Sequence, residues 1–486
     1  MRHIPIDVGS RKQLLFDELL FASKRDISLV VNRPYQDPDP VLVADRPWES
    51  GGIGAYNTVM RENGVFRMWY DALMKPGDRG ARFDRQLCYA ESTDGVHWEK
   101  PELGLIRFGR SKRNNIVSPP SGTQSQQGAT VFRDDQAPKS ERYKAWTKLN
   151  PAHRKTKSTR SGGLRALVSP DGLRWKFLDE GYPLHKGNAA DSQNIAFWDD
   201  EQGCYVAYVR MKRRPRGRER TCWVGRMTSR DFRNWTRAKT VFAADKTDEA
   251  MPLPAGMDAR QPVLDFYTPG GMKYPGAPSS YLLFPSAYHH WDEGRFPGTI
   301  DVTLLTSRDG ISWFRPSERA PYLRLGLDGS QSSGMLHANP WPIVVGDEVW
   351  IYYGGIGRSH LEETIDPNDS GLFRARSRLD GFMSADAPAS GGVFTTPPLT
   401  FDGDRLGLNV DTSGGGWAQV EIRSGSGRPL AGFTQEACDV VRLNATRKIV
   451  TWNGSSDCSE LAGKPVRLRF TMRATKLYAF QFTSSP

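Results

Sequence analysis

The sequence has few cysteines, and their spacing argues against two ways of stabilising a fold. There are five cysteines in 486 residues, with no Cys-x-x-Cys pair, so a disulfide framework is not expected and a thiolate zinc site is nearly excluded. Cys438 and Cys458 share the C-terminal region, and whether they pair is left open.

Long apolar runs are also missing. No stretch of 18 apolar residues occurs, so the sequence predicts no membrane-spanning helix and no membrane partner. Residues 1–7 lack the apolar core of a signal peptide. This predicts a cytoplasmic protein, or a secreted or periplasmic one if a leader has been removed.

Positive charge is in excess, and much of it lies in one run. Lys and Arg number 66 against 55 Asp and Glu, and residues 210–220 hold a dense basic stretch. Aromatic residues do not interleave with that stretch, which argues against nucleic acid as a partner. Two interpretations stay open: a solvated hairpin loop, and a rim that attracts an acidic or sulfated glycan.

A short motif recurs along the sequence. Ser-Thr-Asp-Gly-Val-His-Trp ends at Trp98, and related copies end at Trp175, Trp235 and Trp313. Asp-Gly provides a side-chain acceptor and a residue free to adopt positive φ, as a tight turn requires. Units this long with one fixed turn each are typical of propeller blades, and the tryptophan can pack under the neighbouring blade. The copies are marked by Asp94, Asp171, Asp231, Asp309 and, in a degraded copy, Asp380.

The predicted fold is therefore all-β. Each unit contains four strand-like segments, which predicts a five-bladed β-propeller over residues 41–385, and residues 1–40 are expected to pack on its outside as a lead-in segment. Beyond a small-residue linker, residues 392–486 show strands of period two and predict a β-sandwich.

Side chains placed at or just before the first strand of each blade converge on the propeller axis, so chemistry is sought there. Carboxylates, amides, histidines and aromatics facing one pocket suit a sugar, and cleaving a glycosidic bond requires two carboxyl groups. The candidates are Asp45, Glu49, Asn57, Asp191, Gln193, Asn194, Asp258, Tyr274, His337 and His360.

Two stretches resemble a known family. Asp191-Ser-Gln-Asn-Ile-Ala-Phe-Trp is similar to the Arg-Asp-Pro-Lys-Val-Phe-Trp pattern of glycoside hydrolase family 32, and residues 63–70 resemble the hairpin that follows its Asn-Asp-Pro-Asn nucleophile motif. With the layout of blades and sandwich, the chain resembles the five-bladed propeller hydrolases of families 32 and 43. The resemblance implies that Asp191 stabilises the transition state and that a furanoside, such as an arabinoside or fructoside, is favoured as substrate.

The sequence also departs from that family. The aligned nucleophile position falls near Ala55, with Glu49 and Asp45 as the nearest upstream carboxylates, and the Glu-Cys acid motif is absent. The chain looks closer to bacterial proteins with a family 32-like propeller in which Pro-Trp-Glu, Asp-Ser-Gln-Asn and Tyr-Pro recur.

The predicted function is cleavage of a glycosidic bond in an oligo- or polysaccharide. Glu49 and Asp191 are the predicted catalytic carboxylates, and the other candidates would position sugar hydroxyls. No cofactor is expected, a structural Ca²⁺ at the axis is left open, and the oligomeric state is not predicted. Two alternatives stay open: a propeller that binds sugar without cleaving it, and a glycoside phosphorylase in which Arg260 and His337 help to hold phosphate.

Overall fold

The computed structural model describes residues 4–75, 84–118, 126–149, 163–178, 185–186, 191–213, 221–252, 255, 264–290, 298–360 and 366–485. Within these ranges the protein is all-β, as predicted. The helical segments described are a four-residue α-helix, Lys246–Glu249, and 3-10 turns at Glu18–Leu20, Pro47–Glu49, Lys139–Glu141 and Ser459–Leu461. None of the described helices has the length and apolar character needed to cross a membrane.

Five short strands at the N-terminal end pair with sheets formed much later in the sequence. They are β1 (Ile6–Gly9), β2 (Gln13–Leu14), β3 (Ser23–Arg25), β4 (Ser28–Val31) and β5 (Tyr35–Gln36).

Unit 1 follows and is an antiparallel meander. Its strands are β6 (Gly52–Glu62), β7 (Val65–Met74) and β8 (Asp84–Ser92). Glu62 pairs with Val65, and the two turn residues between them, Asn63 and Gly64, both have positive φ. That is the geometry a two-residue hairpin requires, and it confirms the turn predicted at residues 62–64.

Units 2 and 3 repeat the meander. Unit 2 consists of β9 (Gln126–Arg133), β10 (Tyr143–Leu149), β11 (Gly163–Ser169), β12 (Lys176–Phe177) and β13 (His185–Lys186). Unit 3 consists of β14 (Ile195–Asp199), β15 (Cys204–Arg213), β16 (Thr221–Ser229) and β17 (Lys239–Phe242). β15 and β16 pair up to Arg213 and Thr221, so the basic run begins within β15, and its residues 214–220 lie outside the described residues.

The strands of unit 4 belong to two sheets. They are β18 (Leu264–Phe266), β19 (Gly271–Lys273), β20 (Tyr281–Leu283), β21 (Ser286–His290), β22 (Gly298–Val302) and β23 (Leu305–Ser307). β19, β20 and β23 form a three-stranded sheet, whereas β18, β21 and β22 lie in an eight-stranded sheet that continues into unit 5.

Unit 5 takes its outermost strand from the N-terminal end of the protein. Its own strands are β24 (Met335–Ala338), β25 (Ile343–Val345), β26 (Glu348–Ile356) and β27 (Ser370–Arg378), and β5 pairs with β27. The sequence pattern predicts a first strand at Trp341, but the strand starts at Met335, so His337 lies within it rather than before it.

The five units pack in a ring of neighbours. β6 contacts β9, β9 contacts β14, β16 contacts β18, β22 pairs with β24, and β26 packs on β6, which brings unit 5 back to unit 1.

Hydrogen bonds between residues in or next to the first strands join each unit to the next. Thr58 Oγ1 donates to the Ala129 carbonyl (3.1 Å) between units 1 and 2, and Thr130 Oγ1 donates to the Asn194 carbonyl (2.7 Å) between units 2 and 3. Ser192 Oγ donates to the Tyr267 carbonyl (3.5 Å) between units 3 and 4, and Thr268 Oγ1 lies 3.3 Å from His337 Nδ1 between units 4 and 5. The Val59 amide donates to Asn339 Oδ1 (3.4 Å), which joins unit 1 to unit 5.

The recurring Asp-Gly turn is built in the same way in four units. In unit 1 the Gly95 amide donates to Ser92 Oγ, and Asp94 Oδ1 accepts from the amides of Val96 and His97. Gly95 has φ near +74°, which confirms the prediction of a positive-φ residue. The same aspartate contacts recur at Asp171, Asp231 and Asp309, although in unit 3 the positive-φ residue is Phe232 instead of a glycine.

Each of these turns docks on the second strand of the preceding unit. The carbonyls of Gly95, Gly172 and Gly310 accept hydrogen bonds at 2.7 Å from Tyr352, Trp69 and Tyr208, respectively. Trp98, Trp235 and Trp313 contact Tyr352, Trp146 and Tyr208 edge to face, so the predicted packing of these tryptophans against a neighbouring unit is confirmed. The degraded fifth copy uses its side chain, because Tyr274 donates to Asp380 Oδ1 at 3.0 Å.

Two six-stranded sheets form the C-terminal region. The later strands are β28 (Met383–Ala387), β29 (Gly392–Thr395), β30 (Leu399–Phe401), β31 (Arg405–Asp411), β32 (Trp417–Ser424), β33 (Asn444–Ile449), β34 (Val466–Arg473) and β35 (Thr475–Thr483). One sheet has the order β1-β30-β34-β29-β3 with β32 on β34, and the other β33-β31-β35-β28-β4 with β2 on β35. A single core that includes Phe394, Phe470 and Phe480 fills the space between them.

The lead-in segment therefore does more than cover the units. Its strands β1 to β4 complete both C-terminal sheets, while Leu14 and Phe16 pack against buried residues of units 4 and 5. Cys438 and Cys458 are both buried in the C-terminal region, and all five cysteines are unpaired.

The turn docking predicts a large difference between two glycine substitutions. In Gly95→Ala the new Cβ would lie 2.5 Å from Tyr352 Oη and 2.7 Å from Trp350, on a backbone with positive φ. We expect the free energy of unfolding to fall by about 3 kcal/mol. Gly64→Ala is the matched control, because Gly64 has φ +85° with no atom within 4 Å of where a Cβ would lie, and should cost about 1 kcal/mol. If urea denaturation gave the same loss of unfolding free energy for Gly95→Ala and Gly64→Ala, the argument that Gly95 packs tightly against Tyr352 and Trp350 would be contradicted.

Candidate active site

Asp191 lies four residues before the first strand of unit 3 and is partly exposed. Its side chain is 41% exposed, while the two cations beside it, Lys148 and Arg210, are almost completely buried. Lys148 Nζ contacts Asp191 Oδ1, and Arg210 Nη2 lies 3.8 Å from Oδ2. Burial alone would raise the pKa of Asp191, but the charges of Lys148 and Arg210 outweigh it and lower the pKa. The site therefore presents an ionised carboxylate.

Arg210 is positioned by the residues around it. Its backbone amide donates to Asn194 Oδ1 at 2.8 Å, and its guanidinium lies 4.8 Å from the centre of the Tyr267 ring. The Asn194 side chain also donates to the Ser192 carbonyl at 2.7 Å. Asn194, predicted to bind substrate, thus uses its amide within the protein to fix the strand that carries Arg210.

A second carboxylate, Asp71 on β7, was not among the predicted site residues. It is 2% exposed; Arg85 Nη1 lies 3.6 Å from its Oδ2, and the Gly128 amide donates to the same oxygen at 2.9 Å. Burial raises the pKa of Asp71 to about 6, although Arg85 and the Gly128 amide oppose the shift. A carboxylate in the largely apolar strand Val65–Met74, where the other charged residue is Arg67, was the available sequence signal.

Tyr56 connects the surroundings of these two carboxylates. It lies where the pairing of β6 with β7 shifts register, between Ile53 and Asn57, and its ring centre is 5.2 Å from that of His337. Burial raises the pKa of Tyr56, and the charges of Arg210 and Arg85 act in the opposite direction. Gly128, whose amide donates to Asp71, lies against the backbone of Gln193, two residues from Asp191, so the Asp71–Arg85 and Asp191–Arg210 pairs are close together.

His337 and His360 lie in the same region, as predicted. His337 Nδ1 is 2.8 Å from Ser286 Oγ, and burial, aided by the charges around it, lowers the pKa of His337 to about 3. The His360 ring lies 4.7 Å from Tyr288 and 5.5 Å from Tyr267, and burial together with Arg210 lowers the pKa of His360 to about 4. Both imidazoles are therefore neutral near pH 7 and suit hydrogen bonding to a neutral ligand.

A third buried carboxylate, Asp265 on β18, lies against the same residues. Its Oδ1 accepts from the Cys222 amide at 2.9 Å, and its Oδ2 lies 3.4 Å from His290 Nε2. The Asp265 charge raises the pKa of Tyr267 in addition to the larger effect of burial.

The predicted catalytic residue Glu49 has a different environment. It ends the 3-10 turn before β6 and is 1% exposed. Its Oε1 accepts from Tyr70 at 2.6 Å, and its Oε2 accepts from the Asp45 and Arg46 amides and from Lys100 Nζ at 2.8 Å. Because four donors occupy both of its oxygens, Glu49 holds the turn together, and this geometry favours a structural role over catalysis.

Two other predicted residues are engaged outside the Asp191 region. Asp45 is half-exposed and pairs with Lys100 at 2.6 Å; burial would raise its pKa, but Lys100 lowers it. Tyr274 is completely buried, and its hydroxyl makes the unit 4 to unit 5 contact with Asp380.

The predicted amides Asn57 and Gln193 lie at the centre of the ring of units. Gln193 Nε2 donates to the Asn57 and Ala129 carbonyls at 2.8 and 3.1 Å, which ties unit 3 to units 1 and 2. The Asn57 side chain is buried, and its polar atoms have no hydrogen-bond partner among the described residues. Asp258 and Arg260 lie outside the described residues.

Within the described ranges no three His, Cys, Asp or Glu side chains are grouped closely enough to hold a metal ion. A structural Ca²⁺ stays a prediction.

A cavity of about 920 Å³ lies among the ends of the first strands that are farther from Asp191. Its walls include Phe132, Phe197 and Trp341. Of its lining carboxylates, Glu62, Asp134 and Asp135, Glu62 accepts hydrogen bonds from Arg67 and Tyr143. The carboxylates with opposite pKa shifts, Asp71 and Asp191, are not among the residues that line this cavity, which distinguishes the two ends of the ring.

Comparison with known proteins finds solved structures with a similar fold and two curated proteins with a distant sequence similarity. No family model matches the chain. A solved structure described as a glycoside hydrolase, and another described as a BT0996 RGII complex, each superpose with a TM-score of 0.51 at 14% identity, over 72% of this protein and 92% of theirs. At this identity the similarity concerns the fold alone.

Two curated relatives come from Mycobacterium tuberculosis, from strains CDC 1551 / Oshkosh and ATCC 25618 / H37Rv. Both are uncharacterised proteins, 28% identical over 129 residues, or 26% of this chain. The match spans 36% of the length of each relative.

The raised pKa of Asp71 predicts a pH-dependent effect on stability. The folded protein holds this proton more tightly than the unfolded chain, so the contribution of Asp71 to stability is greatest below about pH 4 and is lost as pH rises through 6. The Asp71→Asn variant should therefore gain about 2–3 kcal/mol relative to wild type between pH 4 and pH 7.5. Urea denaturation at both pH values measures this, with Asp200→Asn as an exposed control. A difference between Asp71→Asn and wild type that does not change with pH would refute the raised pKa.

Proposed function

We propose that the protein is a carbohydrate-active enzyme that cleaves a glycosidic bond at the site containing Asp71 and Asp191. We also propose that units 1 to 5 are the blades of a five-bladed β-propeller and that the C-terminal sheets form a β-sandwich. The ring of contacts between units and the turn docking support this arrangement. The resemblance to families 32 and 43 favours a furanoside as substrate.

The observation that carries the proposal is the pair of carboxylates with opposite pKa shifts. Glycoside cleavage requires a carboxyl group that keeps its proton until it reaches the leaving oxygen, and a carboxylate that is ionised. Burial suits Asp71 to the first role, and the cations beside Asp191 suit it to the second.

In the proposed reaction, Asp71 donates its proton to the glycosidic oxygen as the bond to the anomeric carbon breaks. The Asp191 carboxylate stabilises the positive charge that develops on the sugar ring. Water then bonds to the anomeric carbon through its oxygen and gives up a proton, which restores the protonated form of Asp71. Tyr56 and the neutral His337 and His360 line the same region and would bind sugar hydroxyls. The glycoside hydrolase description of one structure with a similar fold agrees with this class of reaction.

A screen of furanoside and pyranoside glycans, comparing wild type with two variants, tests the site. We expect Asp191→Asn to fold and to lose at least about 100-fold in kcat, because the ionised carboxylate is removed. We expect Glu49→Gln to lower the free energy of unfolding by about 3 kcal/mol, since Lys100 loses a buried partner, while the folded fraction keeps kcat within about threefold of wild type.

Asp200→Asn is the control for Asp191→Asn, because Asp200 is an exposed aspartate that also pairs with a lysine, Lys273. Wild-type turnover by folded Asp191→Asn would remove Asp191 from the mechanism. Saturable binding of a glycan with no turnover by wild type would instead identify a carbohydrate-binding protein.

A further inference from the structure

Three basic side chains surround the exposed carboxylate of Asp191. Lys148 contacts it from β10, and Arg210 approaches it from β15. Lys212 lies two residues beyond Arg210 on the same strand, so the two side chains leave the same face of the sheet. Partial burial lowers the pKa of Lys212, and the charges of Arg210 and Lys148 act in the same direction.

The three cations differ in what holds them. Lys148 and Arg210 are buried and share Asp191, whereas Lys212 is exposed and makes no ion pair within the described part of the chain. The Arg210 guanidinium is also held over the Tyr267 ring, which fixes its plane. An ammonium kept beside two other cations costs free energy unless an anion joins it.

We infer that Lys148, Arg210 and Lys212 form a subsite for an oxyanion beside Asp191. The inference rests on the proposed function, because it adds an anionic group to the ligand of the same site. Arginine and lysine at one position suit a phosphate, sulfate or carboxylate: the guanidinium donates two parallel hydrogen bonds, and the ammonium acts as a point charge.

This chemistry has two sources, and they imply different reactions. The oxyanion is either a substituent of the glycan, such as a uronate, or free inorganic phosphate that replaces water as nucleophile. In the second case the bond from the anomeric carbon to the leaving oxygen breaks, and a bond from that carbon to a phosphate oxygen forms. The proton lost by dihydrogen phosphate ends on the leaving hydroxyl, and the products are a glycosyl phosphate and an alcohol.

Calorimetric titration of the full chain with three probes tests the subsite: inorganic phosphate, a uronic-acid disaccharide and its neutral counterpart, all at one ionic strength. We expect wild type to bind phosphate or the uronate, and Lys212→Gln to bind that oxyanion at least tenfold more weakly. Lys239→Gln is the matched control, an exposed lysine on β17 of the same unit, and should bind as wild type does.

Phosphate binding with release of a glycosyl phosphate from a glycoside assigns the subsite to phosphate, and selective binding of the uronate assigns it to the glycan. Absence of binding by both oxyanions, or equal weakening in Lys212→Gln and Lys239→Gln, overturns the subsite. Cleavage of a neutral glycan without oxyanion binding would leave the proposed function standing and remove the subsite. Oxyanion binding that is weakened by Lys212→Gln, with no cleavage of any glycan, would support the subsite and remove the proposed function.

Discussion

The structure depends on the hydrogen bonds that join residues in or next to the first strand of each unit to those of the neighbouring unit. Each joins a donor in one unit to an acceptor in the next, and most involve a buried threonine, serine or asparagine side chain, as at Thr58, Thr130 and Asn339. A buried polar group without a partner costs about 1–3 kcal/mol, so no unit satisfies its own centre until its neighbours are in place. The ring is therefore cooperative, and the site at its end takes its geometry from all five units.

The same constraint explains how two aspartates acquire opposite properties. Asp71 is withdrawn from water on the second strand of its unit, with one arginine at 3.6 Å, and desolvation dominates. Asp191 stands where a first strand begins, stays partly in water, and contacts a lysine directly. The charge state of each aspartate depends on its position within the unit. Asp71 lies on a middle strand, which is buried, whereas Asp191 lies next to the end of a first strand, where its side chain reaches water.

The periodic features of this protein were predictable, and the non-periodic ones were not. Asp94 and its counterparts marked every unit, because a turn capped by its own serine and aspartate is encoded within four residues. Asp191 was a candidate because it lies shortly before a first strand, and it stays a prediction. Asp71, Arg85 and Lys148 were not among the candidates, because the contacts that bring them near Asp191 join segments that lie far apart in sequence. Glu49 shows the opposite difficulty. Its place before a first strand led to the prediction of a catalytic role, whereas its hydrogen-bond partners, which the sequence does not reveal, favour a structural role.

The pairing of β1 to β4 with strands that follow Met383 has a consequence for biosynthesis. These four strands are translated more than 350 residues before their sheet partners, so their backbone groups must wait for those partners. The outer edge of unit 5 also needs β5, made more than 300 residues earlier. Units 1 to 4 can assemble as they emerge, but the C-terminal sheets can close only after β35 has been made. A nascent chain stalled before residue 383 would expose unpaired N-terminal strands, the segment on which a holding chaperone would act.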